Sequence, residues 1–111
     1  MPGKAPQRKG RGGERELAEK LRELGFQDAK VSPAMAFGRA PDLQGVPHVH
    51  VECKRCESYH LGEWLAQAET DATHFGDGLP AVFFRRSREG WKVCMTLESW
   101  AALYHRTGAK D

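Results

Sequence analysis

Asp42, Glu52 and Lys54 are the residues of this chain whose types and spacing could do chemistry together. They fall in one run of fourteen residues, Pro41 to Lys54, with a turn signal at Gly45-Val46-Pro47 between the two acids. Glu52 and Lys54 stand two apart in the alternating segment His48 to Cys56. On a β-strand they share a face, with Cβ atoms roughly 7 Å apart. An isolated Glu-x-Lys is common on solvated strands. Here a second carboxylate precedes it across a tight turn, and a neighbouring strand would bring Asp42 close enough for both acids to bind one Mg²⁺ through oxygen. Two carboxylates and an ammonium so placed fit a metal-dependent phosphodiesterase, with the lysine activating or steadying water and countering developing charge.

The elements that must position these residues are legible from periodicity. Leu17, Ala18, Leu21 and Leu24 recur at helical spacing from Gly13 to Gly25, where Gly25 fits a C-terminal stop. Strands are predicted over Gln27 to Ser32, Pro41 to Gln44 and His48 to Cys56, with an irregular loop from Pro33 to Ala40. Leu61 to Phe75 reads as an amphipathic helix with Leu61, Trp64, Leu65, Ala68, Ala72 and Phe75 on its stripe. Ala81 to Phe84 suits a strand buried on both faces, and Trp91 to Met95 alternates. A last helix begins near Thr96 or Leu97, capped by Thr96, and carries Leu97, Trp100, Ala101 and Tyr104. The order αβββαββα predicts an α/β domain with a mixed central sheet flanked by helices.

Glu14 is oddly placed on the first helix. It projects into the middle of the stripe of Leu17, Ala18 and Leu21, whereas Glu16, Glu19 and Glu23 fall on the opposite side. A carboxylate there is costly unless paired, hydrogen-bonded or bound to metal. The plainer alternative is that it projects past the core in the first turn and complements the helix dipole.

Length and composition bound the rest. At 111 residues this is one domain, 29% charged and 40% hydrophobic, and a chain this short buries roughly 65% of its unfolded surface. No apolar run reaches the roughly 18 residues needed to span a bilayer, and no hydrophobic signal core opens the chain, so no membrane association and a cytoplasmic location are expected. Net charge is only +2, but Lys4, Arg8, Lys9 and Arg11 form a basic stretch without an acid among them. That is what a phosphate backbone attracts; a solubilising tail is the alternative. Residues 1–12 therefore read as a flexible basic arm, 13–106 as the folded domain and 107–111 as a tail. Arg85, Arg86 and Arg88 form a second basic cluster at a predicted turn.

Three cysteines without an export signal argue against a disulfide framework. Cys53 and Cys56, three apart on a strand, point to opposite faces, which argues against a shared zinc ion. His48 and His50 share the predicted face of Glu52, where they either bind metal or phosphate or are polar surface positions. Trp64, Trp91 and Trp100 lie on apolar stripes and read as core.

These motifs resemble the PD-(D/E)xK nuclease superfamily, with Pro41-Asp42 as one half-motif and Glu52-Cys53-Lys54 as the other. Lys9-Gly10-Arg11-Gly12-Gly13-Glu14-Arg15-Glu16-Leu17, with Leu24-Gly25-Phe26, resembles the first helix of archaeal-type Holliday-junction resolvases. Small phage and prophage nucleases of this superfamily are similar over about residues 8–105. The resemblance implies a restriction-endonuclease-like core and a Mg²⁺-dependent endodeoxyribonuclease, with Mn²⁺ as substitute, encoded by a bacterium or phage. It implies Asp42, Glu52 and the backbone carbonyl of Cys53 as metal ligands, with Glu14 assisting, directly or through water. It makes Lys54 the residue that orients water or neutralises charge. Gln67 resembles a glutamine found after the motif in related nuclease groups; it fits equally a solvated place at the edge of its helix stripe.

DNA contacts would come from Lys4, Arg8, Lys9, Arg11, Arg39 and Arg55. The substrate would be branched or four-way-junction DNA in recombination, repair or phage DNA processing. Symmetric cutting of two strands implies a homodimer, with Ala81 to Phe84 and the terminal helix as candidate interfaces. Only nine residues separate Asp42 from Glu52, fewer than in the archaeal resolvases, and Ser32 is the one candidate for the serine that often precedes their Asp. A nuclease of flaps, nicks or duplex ends, and a non-catalytic nucleic-acid-binding module on the same fold, are the alternatives.

Overall fold

The periodicity of Leu17, Ala18 and Leu21 becomes the buried face of α1 (Lys4–Glu23). In the computed structural model, residues 4–33 and 40–106 are described, with side chains from residue 12 onward. The chain continues through β1 (Lys30–Val31), β2 (Leu43–Gln44), β3 (Val49–Arg55), α2 (Leu61–Phe75), β4 (Leu79–Arg85), β5 (Lys92–Cys94) and α3 (Leu97–Arg106). This is the expected order.

One boundary differs markedly. The backbone is helical from Lys4, so the flexible arm expected over residues 1–12 is corrected over the part that is described. Gly-rich, basic composition suggested an arm, but Ala5, Gln7, Arg8, Lys9 and Arg11 are good helix formers. Pro6 falls in the first turn, where a missing N–H leaves no helical bond unmade. The tail at 107–111 and most of the 33–40 loop lie outside the described residues.

The five strands make one mixed sheet in the order β1-β2-β3-β4-β5. The pairs β1–β2, β2–β3 and β4–β5 are antiparallel, whereas β3 and β4 run parallel, in register from Val49↔Leu79 to Arg55↔Arg85. Parallel neighbours need a crossover longer than a hairpin, and α2 supplies it. Strand alternation then sorts residues between two layers. Leu43, Val49, Val51, Ala81 and Phe83 face α1, with Leu103 of α3 packed at the margin. Val82 and Phe84 face α2, against Ala68, Trp64 and Leu65. Leu17, Leu43, Val51 and Val82 are fully buried, each stabilising the fold by roughly 1.5–3 kcal/mol. Among the described residues no helix is long and apolar enough to cross a membrane.

The last two elements depart from expectation. Thr96 does cap α3, its hydroxyl accepting the Ser99 N–H at 3.0 Å. Yet α3 has no buried residue, and Trp100, read as core, is half exposed at 51%. Val93 has the inward parity the alternation predicts but is 54% exposed. The reason is position: β5 is the sheet edge, and the described residues leave its Val93 side partly open. Ala81 to Phe84 is also corrected as an interface, because β4 is paired on both edges and those residues fill the chain's own core.

Candidate active site

Asp42 is held across β3 by two bonds that straddle Glu52. Its backbone N–H donates to Val51 O at 2.8 Å, and its Oδ2 accepts the Cys53 N–H at 2.8 Å. A short hairpin therefore does what the spacing predicted: it sets the two carboxylates against each other. Burial, then the charge of Glu52, pushes the Asp42 carboxyl up from 3.8 to about 7. The bond from Cys53 opposes this rise, Glu14 adds to it, and Lys54 works against it.

Glu14 thus reaches this cluster from α1, where its carboxylate is half-buried and raises both Asp42 and Cys53. The preceding residue makes the approach possible. A Cβ on Gly13 would lie 2.6 Å from the Cβ of Arg55, so glycine lets α1 pass this close to the end of β3.

Glu52 and Lys54 emerge on the α2 side of β3. The Glu52 side chain is 12% exposed, and its buried Oε2 has no hydrogen-bond partner among the described residues. Lys54 Nζ stands 5.9 Å from the Trp64 ring centroid, a cation–π distance that aims the ammonium along α2. Trp64 and Trp91 pack against the core as expected. Gln67 is exposed and donates to Asp71 Oδ1 at 2.9 Å; Asp71 itself is buried and was not singled out from the sequence.

Burial pushes the Cys53 thiol above its ordinary range, with the charges of Asp42, Glu14, Glu16 and Glu52 adding to it. Cys53, Cys56 and Cys94 are free thiols. Ser32 donates its N–H to Asp42 O at 3.0 Å, and its buried hydroxyl has no partner among the described residues.

His50 needs a correction. It is 0% exposed rather than a surface position, because the face that alternation marks as polar lies under α2. Its Nδ1 meets Asp77 Oδ1 at 2.5 Å and its Nε2 lies 3.3 Å from Glu52 Oε2. The second contact has ion-pair distance without hydrogen-bond alignment, since both atoms remain without a hydrogen-bond partner. Burial alone would lower the imidazole pKa; Glu52 and Asp77 together outweigh it and raise the group above its ordinary value. Sequence reading missed Asp77, whose contact with His50 is 27 positions distant and carries no local signal. His48 is exposed, in the turn before β3.

Of the expected DNA-contacting residues, Arg55 is half-buried and shared between Glu16 at 3.6 Å and Glu57 at 3.1 Å, with Glu16 also on Arg85 at 2.9 Å. It lines a cleft of about 590 Å³ with Gly12, Gly13 and Ser87. Arg39 and the side chains of Lys4, Arg8, Lys9 and Arg11 lie outside the described residues.

Among the described residues, no three His, Cys, Asp or Glu side chains form a ready metal cage. The oxygen donors nevertheless fit a hard divalent cation. Burial and the charge of Glu52 both raise Asp42, and the Glu52 side chain is itself only 12% exposed. Two carboxylates completed by water and a carbonyl are the sparse set that Mg²⁺ accepts.

Residues 5–110 match the protein family described as "Phage putative PDDEXK endonuclease". The chain belongs to this family. The PDDEXK pattern is spelled here by Pro41-Asp42 and Glu52-Cys53-Lys54, the residues the β2–β3 hairpin brings together. Endonucleases of the wider PD-(D/E)xK group typically use a divalent metal. The fold is similar to that of Hjc, a Holliday junction resolvase from the archaeal hyperthermophile Archaeoglobus fulgidus. That likeness has a TM-score of 0.57 and 23% identity, covering 78% of this chain and 76% of that one. It establishes the restriction-endonuclease-like fold. Among curated proteins, none matches by sequence.

Proposed function

We propose that this protein is a divalent-metal-dependent DNA endonuclease that hydrolyses phosphodiester bonds, acts on branched DNA such as a four-way junction, and works as a homodimer. The observation that carries the reading is the buried Asp42 carboxyl beside Glu52: burial first, then the charge of Glu52, holds it near 7, and Lys54 offsets this only in part. Such a pair is relieved by a cation, and Mg²⁺ or Mn²⁺ bound there supplies Lewis-acid chemistry for phosphodiester hydrolysis.

Asp42 and Glu52, with the Cys53 carbonyl, hold the ion, and Glu14 adds negative charge from α1. Lys54 neutralises charge that develops as water attacks phosphorus and the P–O bond breaks. Trp64 restrains Lys54 along α2. Gln67, held by Asp71, lies on the same helix and steadies the scissile strand. Basic residues of α1, together with Arg39 and Arg55, track the backbone.

The test is cleavage of a synthetic four-way junction, a linear duplex and a flap with Mg²⁺ or Mn²⁺. Junction cutting should dominate, and Asp42→Asn and Lys54→Ala should each lower its rate at least about 100-fold while DNA binding persists. Equal cutting of all three substrates would remove the resolvase assignment and leave a nuclease of flaps, nicks or ends. The short Asp42-to-Glu52 hairpin favours keeping that second reading in the assay. Binding without metal-dependent cutting would leave the non-catalytic module.

A further inference from the structure

Among the described residues His50 is the ionisable side chain least accessible to solvent, at 0%, and nothing in the hydrolytic step requires it. Its ring bridges two carboxylates. Nδ1 contacts Asp77 at 2.5 Å and Nε2 faces Glu52 Oε2 at 3.3 Å. The anchor at the Asp77 end is made of backbone. The turn after α2 returns over the start of β3, where the Leu79 N–H donates to His48 O at 2.8 Å. A Cβ on Gly78 would lie 2.7 Å from the carbonyl of His48, so glycine is required for the turn to sit this close. Phe75 closes the ring's remaining side at a centroid distance of 6.4 Å. Thus the imidazole is fixed from outside the strand that carries Glu52.

We propose that His50 is a positioning residue for Glu52: anchored by Asp77, it holds Oε2 and leaves Oε1 as the oxygen presented to the cation. This role rests on the metal-dependent nuclease reading. Without the ring, the ion-pair contact at Oε2 is lost and the Glu52 carboxylate is free to rotate. Groups that orient a metal-binding side chain typically change metal affinity or activity by about 10–100-fold when removed.

Side-chain length supplies the test. Gln places an amide nitrogen where His carries Nε2, whereas Asn places one where His carries Nδ1. Full-length wild type, His50→Gln, His50→Asn and Asp77→Ala would be compared by Mn²⁺ titration with electron paramagnetic resonance. Thermal midpoints and metal-free DNA affinity would be measured beside it. Gln should hold Mn²⁺ affinity within about threefold of wild type, and Asn should weaken it at least about tenfold. Asp77→Ala, at a partly exposed position, should weaken it several-fold, and DNA affinity should stay within about twofold in all three. Wild-type Mn²⁺ affinity in both Asn and Ala variants would overturn the role. So would equal losses in Gln and Asn that track a fall in thermal midpoint, because the ring would then serve only packing. A wild type that neither binds Mn²⁺ nor cuts DNA would overturn the nuclease reading itself, and this role with it.

Discussion

At the scale of single residues, Asp42 concentrates the cost of the site. Unfolded, its carboxyl ionises near 3.8; folded, near 7. Between those values the folded chain binds the extra proton, so metal-free stability falls as pH rises, by at most about 4 kcal/mol for this group. His50 acts in the same direction: its raised pKa adds stability below its ordinary 6.5 that is lost as pH climbs through the folded value. Thermal midpoints in EDTA should therefore drop from pH 4.5 to 7.5. Mg²⁺ should restore them above pH 7, and Asp42→Asn should flatten most of the trend. A profile that rises over this range would show that the two acids are not crowded. These residues were legible because Asp42, Glu52 and Lys54 are close in sequence and strand parity is rigid. Asp77 was not, because its contact with His50 lies 27 positions away and its own neighbourhood reads only as a turn.

At the scale of elements, α1 sets the distance between Glu14 and the hairpin. Gly13→Ala pushes a methyl into Arg55 Cβ and should cost about 1–3 kcal/mol in urea denaturation, with slower cleavage as Glu14 moves away. Gly12→Ala is its control. Nothing lies within 4 Å of that added methyl, and replacing glycine inside a helix should stabilise by up to about 1 kcal/mol. If both substitutions behave alike, close approach at Gly13 is not what limits the helix. Helix and strand types were legible from periods of 3.6 and 2. The start of α1 was not, because glycine-rich basic sequence suits an arm as well as a helix already propagating from better formers.

At the scale of the whole molecule, a modest net charge conceals a polarised distribution. Lys9→Ala with Arg11→Ala should lower the slope of log affinity against log salt by about 2 if each neutralises one phosphate. A filter-binding series from 50 to 200 mM salt measures this, and an unchanged slope would take the basic stretch of α1 out of the DNA interface. The exposed Leu97 and Trp100 of α3 give the homodimer proposal a place to fail. Trp100→Glu should convert a dimer to a monomer in sedimentation analysis, and a wild type that is monomeric throughout removes the proposal.

The sequence by itself determined the element order, the mixed α/β architecture and the acid–acid–lysine hairpin, since each follows from periodicity or from contacts across a short turn. Only the tertiary structure decided which polar strand residue lies under a helix. Alternation assigns His50 to a face without saying what covers it. That depends on where α2 crosses and where the Gly76-Asp77-Gly78 turn lands, and both are set by long-range packing.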